Sequence, residues 1–508
     1  MQEHAEKLDR WFESTTFTEF DRRVEDQTDF LKKEIREGEL SNSDFTFGLE
    51  LEVYAVDGEG NIKPIPDRVL EEAPFNPELG LHNAELNTDP TRFDAGGVEE
   101  QEEALRSQFE EADRFLSEHG MRLVLDSLWT SHGGDSQVFL TEQEEVEGYR
   151  FSENMRSATR YHALDNAFVN AWDGEIPLDV PGADHGLSSM LFECLATSIQ
   201  PHLQVPDTGE FPEYYNTALR TMAPVLALSS NSPFLPPDLY NQVDEAEELV
   251  DETFHELRIP VFEQSVNPSH EYGEKKVRFP SDLESAEDAA EYVEQDEILA
   301  PSLEEWNSPP ELGYREEFWE WNFKRKTFWR WVRPVIGAEP VDGANDQKAI
   351  RIEYRPLPTQ PTVKDVVALQ LTAIGLIHGL VQEDHPVTEL DWETSKSDFY
   401  SAVEDGLEAD LHWVNSSGEE TSDREEIFAE VFRYARRGLE ERGLTDGQIE
   451  RYVGPIEERW ENRMTPSTWK KQKVREELGD STLEEAITSM QRQYIEKSRS
   501  TGCFTEWM

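Results

Sequence analysis

FGLELEVYAV, residues 47–56, alternates apolar and acidic side chains along a run rich in strand-forming residues. Side chains of an extended chain point to opposite faces in turn, so Leu49, Leu51 and Val53 share one face and Glu50 and Glu52 the other. The apolar face marks a strand of a sheet with one buried side. Two carboxylates on the other face are costly inside a protein unless a cation or hydrogen-bond donors offset them.

Three further pieces repeat this pattern, with polar residues two apart on one face. HNAELNT (82–88) carries Glu85 and Asn87; SIQPHLQV (198–205) carries Gln200, His202 and Gln204; AIRIEYRPL (349–357) carries Arg351, Glu353 and Arg355. Half-solvated antiparallel strands give the same alternation with no function attached. Taken together, carboxylates, an imidazole and arginines on separate strands are the parts needed to hold divalent cations and to neutralise a phosphoryl group in transfer. Oxygen-dominated ligands select magnesium or manganese.

Between these strands run amphipathic helices. GGVEEQEEALRSQFEEADRFLSEHG (96–120) places Leu105, Phe109 and Phe115 near one face and stops at Gly120, and MRLVLDSLWTS (121–131) reads as a strand after it. The alternation of strands, a turn at DGEGN (57–61) and helices predicts an α+β fold built on a mainly antiparallel sheet. The expected organisation is an N-terminal helical segment at 1–40 packed outside the core, and a catalytic domain over 41–394. An acidic insertion at about 243–312 interrupts that domain, and a helical region at 395–508 packs on it.

Composition bounds the setting. The 508 residues hold 108 Asp and Glu against 47 Lys and Arg, a formal charge of -61, spread through helices and loops. Such a surface suits concentrated salt, where the Debye length shrinks to about 3 Å and self-repulsion is screened. A halophilic, cytoplasmic enzyme is the expectation, since there are only two cysteines, Cys194 and Cys503, and the N-terminus has no apolar signal core. No nucleic acid and no membrane are expected as partners, because the one basic run, KRKTFWRWVRP (324–334), is short. Partners should be small molecules, with room for a homodimer. No Gly-Lys dipeptide, GxGxxG, GxSxG, HExxH or CxxC occurs, so a bound nucleotide would be held through metals and arginines rather than a glycine loop.

GLELE, PELGLHNAELNT, NMRSATRYHAL, PHLQV, ALSSNSPF and IRIEYRPLPTQPTVKDVVAL, in this order over roughly residues 45–480, resemble the glutamate–cysteine ligase family of carboxylate–amine ligases. The resemblance implies a catalytic sheet similar to that of glutamine synthetase, and ATP-dependent amide formation through an acyl phosphate. Mg2+ (or Mn2+) would be the cofactor and ATP the co-substrate. It carries metal-ligand roles onto Glu50, Glu52, Glu78, Glu85, His202 and Glu353, and the arginine that meets the transferred phosphoryl onto Arg355. Arg160, Tyr161 and Arg351 are the expected substrate-binding residues. Glu78 also reads as a surface carboxylate, and His82 or His132 as the metal-site imidazole instead of His202. Trp329 and Trp331 read as core.

The chain departs from the family where relatives are basic before GLDA: here SDFYSAVEDGLEADLHW (397–413) is acidic, which leaves the acceptor amine open. Glutamate and cysteine, joined as γ-glutamylcysteine, are what the family implies. The alternatives are a two-metal phosphohydrolase and a non-catalytic acidic scaffold.

Overall fold

The computed structural model describes residues 1–307, 313–337, 341 and 348–508. The last residues of the expected acidic insertion, 308–312, lie outside the described residues.

The signature stretch forms β1 (Thr46–Val56), the central strand of an eight-stranded sheet. Its partners are β2 (Asn76–Pro77), β3 (Asn83–Asn87), β4 (Thr91–Arg92), β5 (Arg122–Val124), β6 (Ile199–Gln204), β7 (Val332–Ile336) and β8 (Ile350–Tyr354), in the order β7-β8-β6-β1-β3-β2. Every pairing is antiparallel. β1 is long enough to be flanked twice on each edge. β6 pairs with Thr46–Leu51 and β5 with Tyr54–Val56 on one side, while β4 and β3 take Thr46–Phe47 and Glu50–Tyr54 on the other.

Four of the expected strands are therefore present, and the register explains their shared oddity. Glu50 lies opposite both Gln200 and Asn87, Glu52 opposite Glu85, and Glu353 opposite His202 and Arg333. Antiparallel partners directly opposite one another project to the same face, so residues hundreds of positions apart become neighbours. MRLVLDSLWTS is a strand over Arg122–Val124 only. The DGEGN turn does form, capped by Asp57 Oδ1 accepting from the amides of Glu59 and Asn61, but it returns to β1 through a single bridge, Val56 to Ile62.

The apolar face of the sheet is covered by helices. Helix Val363–Gln382 packs on β6, and its Gln370 donates to the carbonyl of Gly48 at 2.9 Å. This helix is long and apolar enough to cross a bilayer, but 94% of its apolar window is buried within the protein. It packs against helix Arg424–Glu441 at very close range, where a Cβ on Gly438 would lie 2.0 Å from the carbonyl oxygen of Gly375. The expected position of the N-terminal segment is corrected. Helices Gln2–Trp11 and Ser14–Arg36 bury Ala5, Leu8, Trp11, Phe20, Val24, Leu31 and Ile35 in the same hydrophobic cluster as β1, because their apolar stripes meet the aromatic helix Trp319–Arg325.

Candidate active site

The polar face of the sheet opens into a cavity of about 240 Å³. Glu50 and Glu52 reach it from β1, Glu85 from β3, Gln200 from β6 and Arg333 from β7. Glu78 and Leu79 enter from the turn between β2 and β3, and Arg355 from just beyond β8. Arg160 and Tyr161, in the first turn of helix Thr159–Ala171, close one wall with Lys326 and Trp329. All of the expected ligands except His202 and Glu353 line this cavity, and those two stand at its edge beside Glu50.

Glu50, His202 and Glu353 place one ligand atom each within 4.8 Å of one another. His202 Nε2 is 3.2 Å from Glu50 Oε1 but too misaligned to hydrogen-bond, so the nitrogen is buried without a partner. Arg351 Nε donates to His202 Nδ1 at 2.9 Å and Arg351 Nη1 to the carbonyl of Gly337 at 2.7 Å. The structure thus sets Arg351 behind the imidazole, in a smaller cavity of about 150 Å³ that it shares with Gly48, Glu50, Thr88 and His202. His82, the alternative imidazole, donates from Nε2 to the carbonyl of Cys194 at 3.1 Å instead, and His132 lies tilted against Phe139 with ring centroids 4.4 Å apart; neither belongs to the cluster of Glu50 and Glu353.

The electrostatics divide the cavity in two. Burial raises the Glu78 carboxyl to about 8, with Glu52, Glu193 and Glu50 adding to the rise. Burial and then Glu50, Glu78 and Glu52 push Glu85 well above the usual carboxylate range. Burial also raises Glu52, despite Arg355 and the bonds it accepts from Ser198 N at 2.6 Å, Ser198 Oγ at 3.0 Å and Gln200 Nε2 at 3.0 Å. Glu193 rises to about 7 through burial and Glu52. Among the described residues, none of these four forms an ion pair within the protein. These four carboxyls are half-buried around the cavity, and burial there favours the neutral form unless a cation answers the charge.

Glu353 behaves in the opposite way. Burial alone would raise it, yet Arg333 (Nε to Oε1, 2.8 Å), Arg355, His202 and Arg325 together hold it well below the usual range. Glu50 is likewise lowered: burial would raise it, as would the charge of Glu353, but His202 and Arg333 together outweigh both. Arg355 donates from Nη1 to both Gln200 Oε1 and Glu353 Oε1, which aims a fixed guanidinium at the carboxylates. On the cationic wall, burial lowers Arg160 to about 10 and Lys326 to about 8, the latter with Arg160, Arg325, Arg315 and Arg333 adding to the effect.

The donor set fits divalent cations. Glu52, Glu78 and Glu85 form no ion pair among the described residues, and Glu50, His202 and Glu353 bring one ligand atom each within 4.8 Å of one another. The same cavity holds arginines for the phosphates that such cations accompany.

Sequence reasoning missed several lining residues. Glu193 interrupts an otherwise apolar run, MLFECLA, and that isolated charge was the available signal. Arg333 and Lys326 lie in the short basic run, which turns inward to form the cationic wall instead of an external patch, with Trp329 and Trp331 beside them. Arg258 and Phe262 come from the acidic stretch, which therefore supplies part of the cavity wall.

The glutamate-cysteine ligase family 2 model matches residues 46–496, and the chain belongs to that family. Its structure is similar to a bifunctional glutathione synthetase from Pasteurella multocida, at 16% identity and a TM-score of 0.51, over 93% of this chain and 55% of that one. The chain thus spans about half the length of that protein. A glutamate–cysteine ligase from Francisella tularensis, solved in complex with AMP, is similar at 12% identity and a TM-score of 0.46 over 90% of each chain. Comparison with curated proteins returns no match. The fold is α+β, a mainly antiparallel sheet with flanking helices and a helical C-terminal region.

Proposed function

We propose that this protein is an ATP-dependent carboxylate–amine ligase, and that it joins the γ-carboxylate of glutamate to the amine of cysteine. The observation that carries this reading is a single cavity in which unpaired carboxylates face arginines and a lysine across about 240 Å³. A hydrolase needs the carboxylates, but an acyl-phosphate ligase also needs cations to hold a second, anionic substrate in line with the nucleotide.

Divalent cations held by Glu50, Glu52, Glu78, Glu85, His202 and Glu353 would offset the charge of the nucleotide's phosphates when bound. In the first step a carboxylate oxygen attacks the γ-phosphorus, the bond to ADP breaks, and an acyl phosphate forms. Arg355, braced by Gln200 and Glu353, is placed to meet charge on the moving phosphoryl group. Its bracing means that little reorganisation is needed at that moment. Arg160 and Tyr161 are assigned to the substrate's other carboxylate. In the second step the amine nitrogen, having lost its ammonium proton, attacks the acyl carbon and phosphate leaves. Arg351 stands behind the imidazole of His202, and its bond to Nδ1 has to be given up before Nε2 can ligate a cation.

The test is incubation with ATP, magnesium and glutamate with cysteine or other amines in high salt, followed by mass spectrometry. ADP with γ-glutamylcysteine supports the assignment, ADP with another amide changes the acceptor, and ADP with no amide makes the protein a phosphohydrolase.

A further inference from the structure

The cavity wall carries two opposite charges that the protein does not answer. Arg160 has a buried Nε with no hydrogen-bond partner, and its guanidinium lies 5.2 Å from the ring centroid of Phe323. Among the described residues it forms no ion pair. Glu193, in the short 3-10 segment Met190–Leu195, faces the same cavity, and among the described residues its carboxylate accepts only the weak thiol of Cys194 at 3.5 Å. The Tyr161 hydroxyl lies in the field of both residues and of Glu78.

Glu193 differs from the other carboxylates of the site in its origin. The six candidate metal ligands come from the sheet and the β2–β3 turn, whereas Glu193 stands on the wall beside Met190 and Ala196. A carboxylate and a guanidinium, both half-buried in one small cavity and neither in an ion pair among the described residues, together match a ligand that carries both charges. An α-amino acid is such a ligand. This argument rests on the ligase reading above for the identity of the substrate.

We propose that Glu193 holds the α-ammonium group of the amino-acid substrate whose α-carboxylate lies at Arg160, so that the cavity reads a zwitterion and rejects the des-amino acid. The side-chain carboxylate of that substrate then points from the wall toward Arg355 and the sheet. A site built around a buried charge discriminates strongly against an analogue that leaves the charge unanswered. The wild-type enzyme therefore prefers L-glutamate to glutarate by about 10²-fold or more in kcat/KM.

Glu193→Gln keeps the shape of the side chain and removes its charge, and Glu193→Asp keeps the charge. In the full-length protein, Glu193→Gln lowers the glutamate-to-glutarate preference to less than about 10-fold, mainly by raising the KM for glutamate, and Glu193→Asp retains part of it. Calorimetry of glutamate and glutarate binding gives the same comparison without turnover, and electron paramagnetic resonance counts bound Mn2+. An unchanged preference, an equal loss for both acids in both variants, or one fewer bound Mn2+ in Glu193→Gln overturns the proposal. If the wild-type protein forms no amide from any amine, the ligase reading fails, while the calorimetric comparison still decides the role of Glu193.

Discussion

Arg351 Nε donates to His202 Nδ1 at 2.9 Å, which leaves the proton of the neutral ring on Nε2, 3.2 Å from Glu50 Oε1. A cation at Nε2 needs that nitrogen's lone pair, so Arg351 as placed opposes metal binding by this ring twice, through the tautomer it favours and through its own charge. Arg351→Met is expected to tighten Mn2+ binding several-fold, read by Mn2+ titration, and to lower the melting temperature of the metal-free protein. Weaker Mn2+ binding in the variant would show that Arg351 positions His202 for the metal.

Arg355 contacts Gln200 and Glu353 from Nη1 alone, and Arg355→Lys keeps a positive charge but loses the remaining donors of the planar guanidinium that a phosphoryl group can meet. Turnover is expected to fall by about 10² or more, roughly 2.7 kcal/mol at the barrier, with a much smaller change in ATP affinity. Equal losses in both quantities would make Arg355 a ground-state contact.

Glu50 and Glu52 neighbour one another on β1 but differ in their electrostatics. Both Glu50→Gln and Glu52→Gln are expected to remove most activity. The metal-free proteins should diverge: Glu52→Gln melts higher than wild type, because burial makes the Glu52 charge unfavourable, and Glu50→Gln melts lower, because it abandons His202. Thermal melts in chelator decide this, and shifts of the same sign in both variants would contradict it.

The raised carboxyls predict an unusual pH dependence. Glu78, at about 8 in the fold against 4.5 for its ordinary value, and Glu193, at about 7, favour the fold when protonated. That contribution is complete below the ordinary carboxylate range and is lost as the pH rises through these raised values. Metal-free protein should therefore lose stability from about pH 5 to 8, Glu78→Gln should lose less, and Mg2+ should restore most of it while displacing protons. Melting temperatures across this range with and without Mg2+, and calorimetry in two buffers of different ionisation enthalpy, measure both effects. A melting temperature that rises over the range in wild type and variant alike would refute the assignment.

A formal charge of -61 is self-repelling unless screened. The melting temperature should climb as potassium chloride rises from about 0.1 M to 3 M, over which the Debye length falls from about 10 Å to below 3 Å. A flat profile would count against adaptation to concentrated salt.

The strands and the residues they present were readable because side-chain alternation is a local property. Glu50, Glu52, Glu85, His202 and Glu353 could each be assigned to the polar face of a strand from their own neighbours in sequence. The surroundings of each were not readable in this way. Whether Glu353 is a free ligand or one held by Arg333, Arg355 and Arg325 depends on β7 pairing with β8 and on where helix Trp319–Arg325 packs.

By itself, the sequence determined an α+β chain with an antiparallel sheet, a metal-compatible set of polar strand faces, and a strongly acidic composition. Only the tertiary structure decided that the basic run 324–334 turns inward, that Glu193 joins the cavity, and that the N-terminal helices share the core. The physical reason is range. Periodicity and composition report on a residue's immediate neighbours, whereas the charge state and partner of a buried group are set by desolvation and by side chains that pairing and packing bring from hundreds of positions away.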